Sequence, residues 1–325
     1  MSTSGLKSWI LFVYLNKTKV KVMRKIAFAL CAASLLLSCG IAGAQGFGGF
    51  GGWGGFRPEP VPEDLHTVVS GDVTMTINAA EGGKIISCKY KDTEVLSQIK
   101  FPNAYGSTFW TSPQVEWNWP PVAEIDRLPY EVSDEGGALV LTGKVSERLK
   151  CSVTKKFAVD PKDGAIVVTY SIVNASDEAR KLAPWEITRV PGEGTVLFDC
   201  PVKDITPQDL MPFVEKYKAS WLNFDIRNEN RKVNADGKGW LAYICNGVMM
   251  VKKFDDLKPG QPAPEEAEIQ VYINMGSNYV ELESQGAYSE IQPHGSLEWT
   301  VRWYLVPVEG LAVPSKAILK KARKL

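Results

Sequence analysis

The chain has 325 residues, 45% of them hydrophobic and 10% aromatic, with 37 Lys+Arg against 37 Asp+Glu. That much apolar matter excludes a wholly disordered chain. The balanced charge hides an asymmetry: residues 1–44 hold six bases and no acid, so the remainder carries 31 bases against 37 acids, a net of −6. An acidic body without a basic stripe does not suit a phosphate backbone, and no nucleic-acid partner is expected. With only His66 and His294 in the chain, neither a metal site nor a cofactor is expected.

The N-terminus reads as an export signal. Met23-Arg24-Lys25 is a basic n-region, Ile26 to Ser38 is a 13-residue apolar run, and Ala42-Gly43-Ala44 is a small-residue cleavage pattern before Gln45. A bilayer span needs about 20 apolar residues, so this run is too short to cross one. Met23 is the expected start, with residues 1–22 lying upstream of it. Leu36-Leu37-Ser38-Cys39 also resembles a bacterial lipobox, in which Cys39 carries a lipid anchor. Cleavage after Ala44 and lipidation at Cys39 both stay open. Either places the protein outside the cytoplasm, in the periplasm or as an outer-membrane lipoprotein of a Gram-negative bacterium.

Residues 45–64 form a Gly/Pro-rich linker. Gly46 to Gly55 holds seven glycines around Phe47, Phe50 and Trp53, and Pro58, Pro60 and Pro62 follow. Its backbone entropy is too high for it to fold alone.

From residue 65 the pattern turns to period two. Val73–Ile77, Lys84–Tyr90, Ala138–Val145, Cys151–Val159 and Ala165–Val173 read as strands, with a Pro/Gly turn at Asp160–Gly164. Thr195–Phe198, Gly239–Ile244, Val248–Phe254, Glu268–Ile273, Tyr279–Ser284 and Leu297–Val306 continue the series. Only Thr206–Lys218 and Ser315–Leu325 read as helical. Many short strands and few helices predict an all-β protein, a large antiparallel β-sandwich, with residues 65–325 as one domain. Cys88, Cys151, Cys200 and Cys245 match no zinc spacing; they are either buried apolar residues or one or two bridges.

Three stretches carry chemistry. Gly106 to Pro121 places Trp110, Trp117 and Trp119 within ten residues, interleaved with Gln114, Glu116 and Asn118. Its prolines predict a loop. Indole faces stack on the apolar face of a pyranose while amides and carboxylates hold hydroxyls. In Ala183 to Val190, Glu186 and Thr188 share one strand face; Trp185, Ile187 and Arg189 share the other. In Asn278 to Gly286, Tyr279, Glu281 and Glu283 share a face opposite Val280 and Leu282. Two carboxylates about 7 Å apart on one strand face repel if both are dry, so one is expected to hold its proton more tightly. Arg189 and Arg227 would suit a ligand carboxylate.

The run Tyr279-Val-Glu-Leu-Glu-Ser-Gln-Gly286, followed by Ile291-Gln-Pro-His-Gly-Ser-Leu-Glu-Trp-Thr-Val-Arg-Trp-Tyr304, resembles the closing strands of the galactose mutarotase-like superfamily. Cys151 to Arg189 resembles the central part of that fold. The resemblance implies a β-supersandwich with a concave sugar-binding face. It also implies a catalytic role for Glu283, with Gln285 beside it in the site. The tryptophan-rich segment is more similar to a secreted Bacteroidetes branch than to true aldose epimerases. The epimerases carry a histidine near the position of Trp185-Glu186 and another earlier; this chain has neither. Glu283 then stands as base and Glu186 as first candidate for the acid.

The expected function is that of an exported carbohydrate-binding protein. Its partner is a mono- or oligosaccharide held by Trp110, Gln114, Glu116, Trp117, Trp119, Trp185, Arg189 and Gln285. One alternative is an active epimerase, lyase or hydrolase using Glu283 and Glu186. Another is a structural envelope module. The sequence fixes no oligomeric state.

Overall fold

The computed structural model describes residues 63–100, 104–224, 230–274, 279–309 and 313–325. The export signal, Cys39, the glycine-rich linker up to residue 62, Arg227 and Asn278 lie outside the described residues. Two antiparallel ten-stranded sheets face each other. Sheet one runs β1 (Leu65–Ser70), β2 (Val73–Asn78), β3 (Lys84–Tyr90), β5 (Ser107–Ser112), β10 (Arg180–Pro191), β18 (Tyr279–Gln285), β17 (Ile269–Ile273) and β14 (Arg231–Ala235). Short β4 (Thr93–Glu94) pairs with β3, and β19 (Ser289–Ile291) pairs with β10. Sheet two runs β12 (Val214–Lys216), β13 (Ala219–Asn223), β11 (Thr195–Phe198), β15 (Trp240–Cys245) and β16 (Val248–Lys253), then β20 (Ser296–Pro307), β9 (Ile166–Asn174), β8 (Cys151–Val159), β7 (Ala138–Thr142) and β6 (Glu131–Glu135).

Alternation decides which face each strand buries. Along β8 and β9 burial alternates, every second residue up to Val159 being buried and the others half-buried, as a sheet with one covered face requires; Val159 itself, at the end of β8, is exposed. β15 and β16 are buried on both faces. Their outer face is covered by the C-terminal helix Lys316–Lys324, whose Ile318, Leu319 and Ala322 pack on Ala242, Ile244, Met249 and Val251. Ser315 caps that helix by accepting from the Ala317 N–H at 3.2 Å.

Two expectations fail. The Trp110 segment is not wholly a loop: Ser107–Ser112 is a buried central strand between β3 and β10. Its prolines come after the strand, and Gly106 opens it at φ +61°, where an added Cβ would lie 2.4 Å from the Ile85 carbonyl oxygen. Thr206–Lys218 is not helical. Pro207 and Pro212 remove backbone donors, and Val214–Lys216 finds a partner strand in β13. His66 belongs to β1. The four described cysteines are buried free thiols. Burial pushes Cys151 up to about 12 and Cys200 up to about 11.

The apolar core between the sheets holds a charged pair. Glu186 of β10 reaches across to Lys252 of β16, Oε1 to Nζ at 2.6 Å, and both are fully buried. Tyr170 of β9 donates its hydroxyl to Glu186 Oε2 at 2.6 Å. Lys252 also donates to Thr188 Oγ1 at 2.9 Å. Burial lowers the Lys252 pKa, against the attraction of Glu186. Removing one member of such a pair strands a buried charge at a cost of about 3–5 kcal/mol. Lys252→Met is therefore expected to lose about that much stability in urea unfolding. Combining it with Glu186→Leu and Tyr170→Phe should restore most of the loss, because no charge or hydroxyl is then left unpartnered.

A second buried lysine sets a pH dependence. Lys155 of β8 donates to the Gly82 carbonyl at 2.6 Å, and burial, with Lys84 nearby, pushes its pKa down to about 7. Above pH 7 the folded chain releases this proton while the unfolded chain keeps it up to about 10.4. The unfolded state then binds more protons, so stability rises with pH across that window, by at most about 1.4 kcal/mol per pH unit. Unfolding free energies measured from pH 6 to 10 should show this rise, and Lys155→Met should reduce it, leaving the part due to Lys84 and Lys252, whose pKa values burial also lowers.

Candidate functional site

The face of sheet one turned away from sheet two carries three rows of side chains, set by register. Lys232, Tyr272, Glu281 and Arg189 lie opposite one another across β14, β17, β18 and β10. Asn234, Gln270, Glu283 and Ile187 form the next row. Gln285, Trp185 and Trp110 form the third, ending on β5. Period two puts all of them on one side of the sheet.

Over these rows lies a cleft of about 360 Å3, lined by Trp110, Gln114, Trp119, Trp185, Lys232, Tyr272, Asn274, Tyr279, Glu281 and Glu283, with Ala104 at its edge. Trp110 and Trp185 are buried and meet edge to face at 5.4 Å between ring centres. Trp119 stands 6.0 Å from Trp110 and is 59% exposed, so its ring is open to a ligand. Asn118, at φ +56°, turns the chain so that Trp119 reaches the rim; asparagine tolerates that left-handed conformation. Asp126 holds the floor from behind, accepting from Trp110 Nε1 and Thr108 Oγ1, each at 2.9 Å.

The charges in the cleft are ordered. Glu283 is buried; its Oε2 accepts from Trp185 Nε1 at 2.9 Å and pairs with Lys232 Nζ at 3.0 Å. Burial raises the Glu283 pKa; Lys232 opposes the shift and Glu281 adds to it. Burial acts to lower Lys232, but the attraction of Glu283 and neighbouring carboxylates outweighs it and leaves the ammonium above its ordinary value. Lys232 also sits 4.9 Å over the Trp185 ring. Glu281 pairs with the buried Arg189 at 2.8 Å. Burial, with Glu281 beside it, pushes Tyr279 up to about 12. The arrangement offers aromatic faces, a protonatable carboxyl and one half-buried ammonium on a common surface.

The candidate residues divide. Trp110, Gln114, Trp119, Trp185 and Glu283 converge on the cleft. Trp117 lies beneath it, 5.5 Å from Trp110, donating to the Thr111 carbonyl. Arg189 lies under the cleft as the partner of Glu281. Gln285 is buried beside it, bonded to Glu266 and Gln270. Glu116 is exposed and pairs with Arg180 at 3.3 Å. Glu186 does not share the site with Glu283. It points from the opposite face of β10 into the core, where Lys252 and Tyr170 occupy both its oxygens, so it has no access to a ligand in the cleft. Lys232, Tyr272, Asn274 and Asp126 were missed. The alternation of Lys232-Val233-Asn234 and Gln270-Val271-Tyr272 marks polar faces, but only long-range pairing brings them to Glu283.

No protein-family model and no curated protein sequence matches this chain. Solved structures do resemble it. A galactose mutarotase-like protein from Lactobacillus casei superposes with a TM-score of 0.54 at 13% identity, over 75% of this chain and 100% of the other. One from Clostridium acetobutylicum gives 0.50 at 11% identity, over 74% of this chain and 95% of that one. A TPR-domain containing protein from Parabacteroides distasonis gives 0.54 at 14% identity, over 77% of this chain and 49% of that one.

The Lys232–Glu283 contact makes a direct prediction. Lys232→Met removes the main attraction that opposes burial at Glu283 and should raise that pKa further. A pH titration of Trp185 fluorescence, reporting through its indole bond to Glu283, should move to higher pH in the variant.

Proposed function

On a chain with the galactose mutarotase-like fold, we propose that the indole-lined cleft binds a saccharide and that the protein acts outside the cytoplasm as a carbohydrate-binding protein. The observation that carries this reading is the open Trp119 face above the Trp110–Trp185 floor, with Glu283, Lys232 and the Gln114 amide around it. A pyranose needs an apolar platform for its C–H face and polar groups in the ring plane, and the cleft supplies both. Export rests on the basic, apolar and small-residue segments of residues 23–44. The reading as a structural envelope module expects no aromatic-lined pocket and gains no support from this cleft.

A second reading, an enzyme acting on the bound sugar, is favoured by Glu283 alone. Its raised pKa and its burial against an indole suit a group that passes a proton to or from a ligand. With Glu186 in the core, the acid partner must then come from the cleft itself, where Lys232, Tyr272, Tyr279 and Glu281 are the other titratable groups.

Titration calorimetry against a panel of neutral and acidic sugars tests the proposal. Trp119→Ala should weaken binding about tenfold, equivalent to about 1.4 kcal/mol, without loss of folding. Glu283→Gln should keep binding within about threefold while abolishing any turnover. Absence of heat with every sugar would sink the binding reading; turnover that survives Glu283→Gln would sink the enzymatic one.

A further inference from the structure

Gln114 and Lys232 line the cleft and also a second cavity of about 600 Å3 next to it on the same side of sheet one. β14 joins the two: Lys232 belongs to both, and Asn234, about 7 Å further along the strand, belongs only to the second. The floor of the second cavity is a bonded amide network. Buried Gln270 donates from Nε2 to Asn234 Oδ1 at 2.9 Å and to Glu266 Oε2 at 3.0 Å. Buried Gln285 donates to the same Glu266 oxygen at 3.0 Å. Asn234 thereby has its oxygen fixed inward, and its Nδ2 has no partner among the described residues; the same holds for the whole amide of Gln114. The oriented Asn234 amide nitrogen and the open Gln114 amide, set along one groove, are suited to hydroxyl and ring oxygens. Val115, Pro207 and Pro264 supply apolar walls for ring C–H faces. Glu265 and Glu266 lie in the second cavity, and among the described residues its only cation is Lys232 at the junction, which disfavours an acidic ring there.

We infer that the ligand is a neutral oligosaccharide of at least two rings. One ring stacks in the indole cleft, the next lies over Asn234 and Gln270, and the linkage passes between Gln114 and Lys232. The inference rests on the cleft being a saccharide site and adds a second subsite to it.

The test is calorimetry of the chain with glucose, galactose, mannose and xylose, each compared with its di- and trisaccharides in α and β linkage. For the sugar that binds, the disaccharide should bind about tenfold tighter than the monosaccharide. Asn234→Ala, and separately Val115→Asp at a 73% exposed position, should reduce that gain below about threefold and leave monosaccharide affinity within about twofold. Equal affinity for one ring and two overturns the second subsite and leaves the cleft intact. Tighter binding of a disaccharide with a uronate at the second position overturns its neutral character. If no sugar binds in any form, the cleft reading falls, and the oligosaccharide with it.

Discussion

Strand β10 is buried on both faces, and both faces carry charge. Inward, Glu186 must be met by Lys252 and Tyr170 from sheet two; outward, Arg189 must be met by Glu281 from β18. Charges this dry persist only when partnered, so the register of β10 against β5 and β18 and the stacking of the two sheets are constrained together. A slip of one residue would exchange the two faces and leave four ionised groups without partners. The cleft exists because this constraint holds Trp185 between Trp110 and Glu283.

The cleft is built in layers. Its lining indoles are themselves held: Trp110 by Asp126, Trp185 by Glu283, and Trp117 packed beneath both. The rigid floor contrasts with Trp119, whose ring is largely in water. A surface that is fixed below and open above can meet a flat apolar ligand face without reorganising, which lowers the ordering cost of binding. Lys232, Tyr272, Glu281 and Glu283 are placed by strand pairing, so their spacing follows the sheet geometry, while Gln114 and Asn274 come from the segments just beyond β5 and β17.

Much of the fold was legible in period-two alternation, because strands such as β8 and β9 bury one face and leave the other half-wet. Ser107–Ser112 escaped that reading for the opposite reason: buried on both sides, Ser-Thr-Phe-Trp-Thr-Ser shows no polar alternation, and the following prolines dominate the signal. Thr206–Lys218 shows helix-like spacing, but its prolines and its partner strand decide otherwise. At the site, the alternation in Trp185-Glu186-Ile187 already separated Glu186 from Trp185; grouping them in one cleft overlooked what a strand does to consecutive residues. Lys232 and Tyr272 were out of reach, since nothing local ties residue 232 to residue 283. That contact is a product of sheet order alone.

The four buried thiols have a consequence for how the chain reaches this structure. None of Cys88, Cys151, Cys200 and Cys245 is cross-linked, and each is sequestered from solvent. The two sheets are therefore held by packing and buried charge, with no covalent staple among the described residues. Reaching this structure then needs no oxidant at these four positions, and a reducing medium leaves its native contacts intact.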